Sequence, residues 1–273
     1  MKIVVFDLDE TLGYFVEFGI FWDSLDKFLK EYKKPHEELS QNDFNKILDL
    51  YPEFLRPNII NILNYLKHKK HSKCCHGMMI YTNNQGPKKW AQQIVAYFEK
   101  KINFKIFDQI IAAFKVDGKR IEICRSSHDK SYNDLIKCTK LPVHSEICFL
   151  DDSYYPNMSN KNVYYINVKP YVHDIKYENM IERFMNSSVG SKLVKGEERE
   201  IFKTYMMKFF EVYNYTLQEK SEKENDVDKI LSKQIMIHLH EFFDKTTKNK
   251  PKITINKTRK NDIYKKNKTS RVY

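Results

Sequence analysis

The chain predicts an α/β fold: a mainly parallel sheet flanked by helices, with a helical extension at its C-terminal end. Two patterns carry that prediction. Short apolar runs that end abruptly in polar residues alternate with segments of helical periodicity. The run "KIVVFDLD" also lacks helical spacing and is rich in β-branched residues, as a strand covered on both faces would be.

Taken in order, "KIVVFDLD" is the first strand. Gly13 and Gly19 bracket "YFVEF", which reads as a small hairpin or a loop. Phe21, Trp22, Leu25, Phe28, Leu29 and Tyr32 recur at helical spacing until Pro35. Asp43–Leu50 is a second helix. Pro57 opens a third, whose apolar side is Ile59, Ile60, Leu63, Tyr65 and Leu66. "GMMIYTNN" is a second buried strand, and "WAQQIVAYFEKKI" a helix. "FDQIIAAF" and "IEICR" read as strands, "DKSYNDLIKCTKL" as a helix. "EICFLDDS" repeats the opening pattern and "NVYYINV" is one more strand.

Beyond this the pattern becomes helical. Ile201, Phe202, Tyr205, Met206, Phe209, Phe210 and Tyr213 form one apolar stripe; Val227, Ile230, Leu231, Ile235, Leu239 and Phe242 form another. The expected organisation is a domain over 1–175, a helical extension over 176–244 and a basic, disordered tail over 245–273. Of the net charge of +11, the tail carries eleven Lys or Arg against one acid, Asp262, so the remainder is close to neutral. With 41% hydrophobic residues, 7 Gly and 8 Pro, the rest has the composition of a globular protein.

No apolar run is long enough for a membrane span, and acids interrupt the first apolar run too early for a signal peptide. The five cysteines have no scaffold-like spacing and read as reduced thiols of an intracellular protein, cytoplasmic or nuclear. Asn- and Lys-rich usage resembles that of AT-rich genomes, including those of large DNA viruses. The cluster His68, His71, Cys74, Cys75 and His76 contains zinc-binding residue types, but its spacing matches no standard four-ligand pattern, and it reads as a polar loop.

Three expected strands end in chemically able residues: Asp7/Asp9, Thr82/Asn83 and Asp151/Asp152. In parallel sheets such ends converge on the functional edge. Residues i and i+2 of an extended segment point the same way, so Asp7 and Asp9 face one cleft. Carboxylates gathered in this way need a cation, and an all-oxygen set suits Mg²⁺.

These residues also carry a resemblance. "DLDET" (7–11) resembles the first motif of the haloacid dehalogenase superfamily of phosphohydrolases, and "DLDETL" its branch of RNA-polymerase carboxy-terminal-domain phosphatases. "MIYTNN" resembles the second motif and "FLDDS" the fourth. "LRPNIINILNYL" resembles the helix that precedes the second motif in that branch. The resemblance covers residues 1–172 and implies a Rossmann-like fold and a phosphatase that forms an aspartyl-phosphate.

It further implies a nucleophile at Asp7 and a general acid at Asp9. Thr82, Asn83 and a lysine would bind phosphate. Thr11 and Asp151 would act as supports. Mg²⁺ would be held by Asp7, Asp152 and the backbone carbonyl of Asp9. Lys130 fits the lysine motif best, with Lys115 and Lys137 as alternatives.

No large cap is expected, and an open site suits a phosphorylated macromolecule, with phosphoprotein as the first expectation. "YTNNQGPKKW" also resembles a stretch of polynucleotide 3′-phosphatases, and the basic tail would suit nucleic acid. A non-catalytic binding module of the same fold is the remaining class.

Overall fold

The computed structural model describes residues 1–33, 38–212, 217 and 220–244. The expected basic tail and Pro35 lie outside the described residues. The chain divides into two compact units. Of the described residues, one comprises those of Met1–Gly13, Arg56–Tyr171 and 226–244; the other comprises those of Tyr14–Leu55 and Val172–Asn225.

The first unit is built on a five-stranded sheet whose paired strands all run parallel. Its strands are β1 (Lys2–Phe6), β2 (Gly77–Tyr81), β3 (Gln109–Ile111), β6 (Glu146–Asp151) and β7 (Val163–Asn167), in the order β3-β2-β1-β6-β7. A separate two-stranded ribbon joins β4 (Lys115–Val116) to β5 (Lys119–Arg120). Its turn is Asp117-Gly118, both at positive φ, as a tight hairpin requires. β1 is central because it is apolar on both faces: Ile3, Val4 and Val5 are fully buried, and Ile3 sits in register with Gly77 on one side and Ile147 on the other. The strand order reverses around β1, and residues beyond its carboxyl end therefore face a crevice.

Helices α3 (Ile59–His71), α4 (Lys88–Ile102) and α5 (Tyr132–Thr139) connect the strands. "IEICR" forms no strand. It is a turn that carries Cys124 and the buried Arg125. Cys124 is disulfide-bonded to Cys138, so these two cysteines are not the reduced thiols expected; Cys74, Cys75 and Cys148 are free. Periodicity and composition cannot show that residues 14 positions apart meet.

The expected boundaries also shift. α9 (Glu222–Asp244) returns to the sheet unit, where the Lys2 ammonium donates to the Phe242 and Phe243 carbonyls at 2.6 and 2.9 Å. The Tyr164 hydroxyl lies 2.8 Å from both His238 Nδ1 and Glu241 Oε2. The helix buries Asp228, Ser232, Ile235, Leu239 and Phe242, whereas Val227 and Ile230 are exposed. The buried face thus runs through three polar residues, Asp228, Ser232 and His238, that an apolar stripe passes over.

The second unit is helical: α1 (Val16–Tyr32), α2 (Gln41–Leu48), α6 (Tyr177–Met185), α7 (Ser188–Leu193) and α8 (Glu198–Val212). The expected hairpin at "YFVEF" is the start of α1. Ser40 caps α2 in a reciprocal box with Asp43. The core of the unit is aromatic, with Phe18, Phe21, Phe28, Phe44, Tyr51, Phe54, Phe184 and Phe202 all buried. In α8 the buried stripe narrows to Phe202, Met206 and Phe210, and Ile201 is exposed. Among the described residues no helix is long and apolar enough to cross a membrane.

Glu17, fully buried on α1, accepts the Ile175 N–H through Oε2 at 3.1 Å, while its Oε1 has no partner. Burial, with the nearby Asp174 charge adding to it, raises its pKa to about 9. A carboxyl raised on folding stabilises the fold fully below its unfolded pKa, and loses that contribution as pH rises toward the folded value. The wild-type thermal midpoint is therefore expected to fall between about pH 5 and pH 9. Glu17→Gln should flatten that slope, measured by calorimetry across the range.

Candidate active site

The crevice beyond β1 and β6 is a concentration of carboxylates around one ammonium. Asp7 follows β1 directly and is held there as its N–H donates to the Leu150 carbonyl at 2.9 Å. Asp151 ends β6, and Lys130 precedes the Ser131 cap of α5. The Lys130 ammonium donates to Asp7 Oδ1 and to Asp151 Oδ2, each at 2.6 Å. All three are buried: Lys130 is 1% exposed, Asp7 7% and Asp151 0%. Burial works against the charged ammonium, but Asp151 and Asp7 outweigh it and raise its pKa, which keeps it protonated. Burial raises the Asp151 carboxyl; Lys130 opposes this, and Asp7 adds to it.

Lys115 and Lys137 lie elsewhere. Lys115 sits on the β4 ribbon over the Phe114 ring, and Lys137 is exposed on α5. Lys130 is thus the lysine that reaches the acids.

Asp9 lies two residues beyond Asp7 and turns to a different partner: Asn84 Nδ2 donates to Asp9 Oδ2 at 2.7 Å. Asp9 retains some exposed area, yet lost hydration is the first cause that raises its pKa to about 7. The Asp7 charge adds to this, and the Asn84 donor opposes it. The turn that follows is sharp. Glu10 adopts a positive φ, and its N–H donates to the Gly13 carbonyl at 2.7 Å.

Thr11 joins this turn to the end of β6. Its hydroxyl accepts the Asp152 N–H at 3.1 Å and lies 3.4 Å from Asp152 Oδ1. Asp151 Oδ1 accepts the Ser153 N–H at 2.8 Å. Asp7, Asp151 and Asp152 each offer an oxygen, and these lie within 4.8 Å of one another, a grouping that could hold a metal ion. The donor set fits a hard cation: it is all carboxylate, and two of its members are buried.

On the β2 side, Thr82 is buried and its hydroxyl accepts the Asn84 N–H at 3.0 Å. Asn83 is fixed from both ends: its amide donates to the Tyr155 hydroxyl at 3.0 Å, and its Oδ1 accepts from Arg125 Nη2 at 2.7 Å.

Two arginines absent from the expected site organise it. Arg56, 1% exposed, donates to the carbonyls of Thr11, Glu10 and Lys169 at 2.6, 2.5 and 2.8 Å and so clamps the turn after Asp9. Burial lowers its pKa to about 10, still well above neutral, and Asp228 and Asp152 oppose that shift. Arg125, 0% exposed, donates to the carbonyls of Thr82, Ala112 and His128 as well as to Asn83. Arg56 falls in the quoted "LRPNIINILNYL", whereas "IEICR" gave no signal for Arg125. Asn84 and Tyr155 were also missed; each adjoins an expected site residue or motif.

The zinc-type residues between His68 and His76 do not come together. His71 rests against the Phe104 ring, His76 Nδ1 accepts the Lys2 N–H, and the buried Cys75 thiol points to the Gly77 carbonyl. Among the described residues they form no group of ligating atoms.

Comparison of the chain with family models, with curated proteins and with solved structures finds no match.

Replacing Lys130 would leave Asp7 and Asp151 buried without their shared cation. Lys130→Met is expected to cost about 3–5 kcal/mol of stability, measured by urea unfolding in chelator. Lys130→Arg should recover part of the loss.

Proposed function

We propose that the protein is a phosphomonoester hydrolase of the haloacid dehalogenase type, dependent on Mg²⁺, that works through an aspartyl-phosphate on Asp7. One observation carries this reading: the Lys130 ammonium shared between Asp7 and Asp151 at the carboxyl ends of adjacent central strands.

In this reading Asp7 attacks phosphorus through a carboxylate oxygen, and the ester oxygen leaves. Asp9 gives that oxygen its proton, then takes one from the water that hydrolyses the acyl phosphate. A carboxyl raised to about 7 can carry a proton near neutral pH and return it, as both half-reactions require. Asn84 fixes its orientation. Lys130 and the Thr82 hydroxyl balance charge on the phosphoryl oxygens. Asp7 and Asp152 would hold Mg²⁺, with the Asp9 carbonyl. Asp151 holds Lys130, and Thr11 holds the Asp152 backbone. Bound Mg²⁺ would supply charge neutralisation for the phosphoryl group.

The substrate class favoured by the resemblance is a phosphoprotein. Nucleic-acid 3′-phosphate is the alternative, favoured by the basic tail.

The roles of the two aspartates are separable. Asp7→Asn is expected to lower kcat by about 10⁴-fold or more on every phosphomonoester. Asp9→Asn should cost about 10²–10³-fold on alkyl phosphates, and much less on p-nitrophenyl phosphate, whose leaving group needs no proton. Equal losses on the two substrates would remove the acid role from Asp9. Full activity in Asp7→Asn, or in chelator, would contradict the mechanism.

A further inference from the structure

Two of the buried cations beside the strand ends, Arg125 and Lys130, lie on one short stretch of chain, and a covalent bond closes that stretch. The Cys124–Cys138 disulfide ties the residue before Arg125 to the last turn of α5. The ring so formed contains Arg125, Lys130 and Asp134. The ring is also tied noncovalently: the Ser126 N–H and hydroxyl donate to Asp134 Oδ2 at 2.8 and 2.9 Å, and Arg125 donates to the His128 carbonyl at 2.9 Å. Residues Ser126–Asp129 are exposed, with the Phe114 ring edge-on to His128 at 5.5 Å.

From this ring a chain of contacts reaches the site. Arg125 donates to Asn83 Oδ1 and to the Thr82 carbonyl. Asn83 donates to the Tyr155 hydroxyl, and the Tyr155 ring lies 5.4 Å from the Lys130 ammonium. The disulfide therefore adjoins the residue that fixes the Thr82–Asn83 strand end. Both cysteines are only partly buried. The reduced state also has a partner waiting: Glu122 Oε1 lies 3.1 Å from Cys124 Sγ, in place to accept a hydrogen bond from a thiol.

We infer that the Cys124–Cys138 pair is a thiol–disulfide switch that sets phosphate affinity at the strand ends through Arg125, which acts as a positioning residue. Its effect on turnover rests on the phosphatase reading; its effect on the loop does not. The co-reactant is a dithiol reductant. One of its thiolates attacks a sulfur of the pair, the Cys124–Cys138 bond breaks and a mixed disulfide forms. The second thiol of the reductant then displaces the remaining cysteine. Two electrons pass from the dithiol to the pair, leaving two protein thiols and an oxidised reductant. Opening the ring restores chain freedom to residues 124–138. Arg125 is then held by its hydrogen bonds and by its contact with the Tyr81 ring, without the covalent tie beside it.

The test uses the full chain, as isolated in air and after treatment with a dithiol, and the variant Cys124→Ser/Cys138→Ser. Differential alkylation reads the state of the pair. Hydrogen exchange of peptides spanning 121–131 reads the loop, and titration with inorganic phosphate reads the site. In the wild-type chain, reduction should speed exchange in 121–131 and weaken phosphate binding about 10-fold, the size of loss expected when a supporting contact is removed. The double variant should resemble the reduced protein and ignore the dithiol.

Free thiols at both positions in air-isolated protein would overturn the switch. So would exchange and phosphate affinity unchanged by reduction. If both respond to reduction while no phosphomonoester is hydrolysed in either state, the switch stands and the phosphatase reading falls.

Discussion

Everything at the candidate site depends on one ammonium held between two carboxylates. Lys130 sits 2.6 Å from both Asp7 and Asp151, and burial leaves water little part in neutralising any of them. Buried charge is tolerated when it is paired and hydrogen-bonded, and becomes costly when one partner is lost. The sheet makes the pairing possible. Asp7 follows β1 and Asp151 ends the adjacent parallel β6, which brings two stretches of chain far apart in sequence to one point. Asp152 and Asp9 then add further acid beside the same lysine. The carboxylates so gathered form a group that could hold a metal ion, and lost hydration, with the Asp7 charge adding to it, raises the Asp9 carboxyl to about 7.

Arg56 and Arg125 perform a different task. Each is fully or almost fully buried, and each spends its donors mainly on backbone carbonyls: Arg56 on the turn after β1, Arg125 on the end of β2 and the approach to Lys130. Loops that carry chemistry must be irregular in conformation yet fixed in position. A guanidinium, with five donors in a rigid fork, satisfies several carbonyls that no sheet ladder reaches. Substitution of either arginine would thus act on the positions of Asp9 or Thr82 as well as on stability.

Much of the sheet was legible because buried parallel strands write a short, two-faced apolar signal. "KIVVF", "GMMIY", "EICFL" and "VYYIN" all carry it, and each is a strand. The acids after the first and third of these were legible for the same reason, as polarity appearing where an apolar run stops. What the sequence hid was contact between distant residues. "IEICR" looks like another strand, yet it is a turn set by a disulfide and a buried arginine. Val227 and Ile230 share a helix with buried residues, but α9 docks through Asp228 and Ser232 instead. Residues 14–55 read as continuous with the strands, but they pack with 172–225 into a unit of their own. The family resemblance ranks Lys130 above Lys115 and Lys137, but only its position in space separates it from them.

The central claim is that Asp7 carries the phosphoryl group while Lys130 and Mg²⁺ balance its charge. A crystal structure of the protein grown with Mg²⁺ and trifluoroberyllate, which mimics a phosphoryl group bonded to a carboxylate, tests this most directly. The account predicts beryllium bonded to an Asp7 carboxylate oxygen, Lys130 and Thr82 against its fluorides, and the metal ion between Asp7 and Asp152. Trifluoroberyllate bonded to another carboxylate, or a metal ion bound away from Asp7 and Asp152 with Asp7 unmodified, would contradict it.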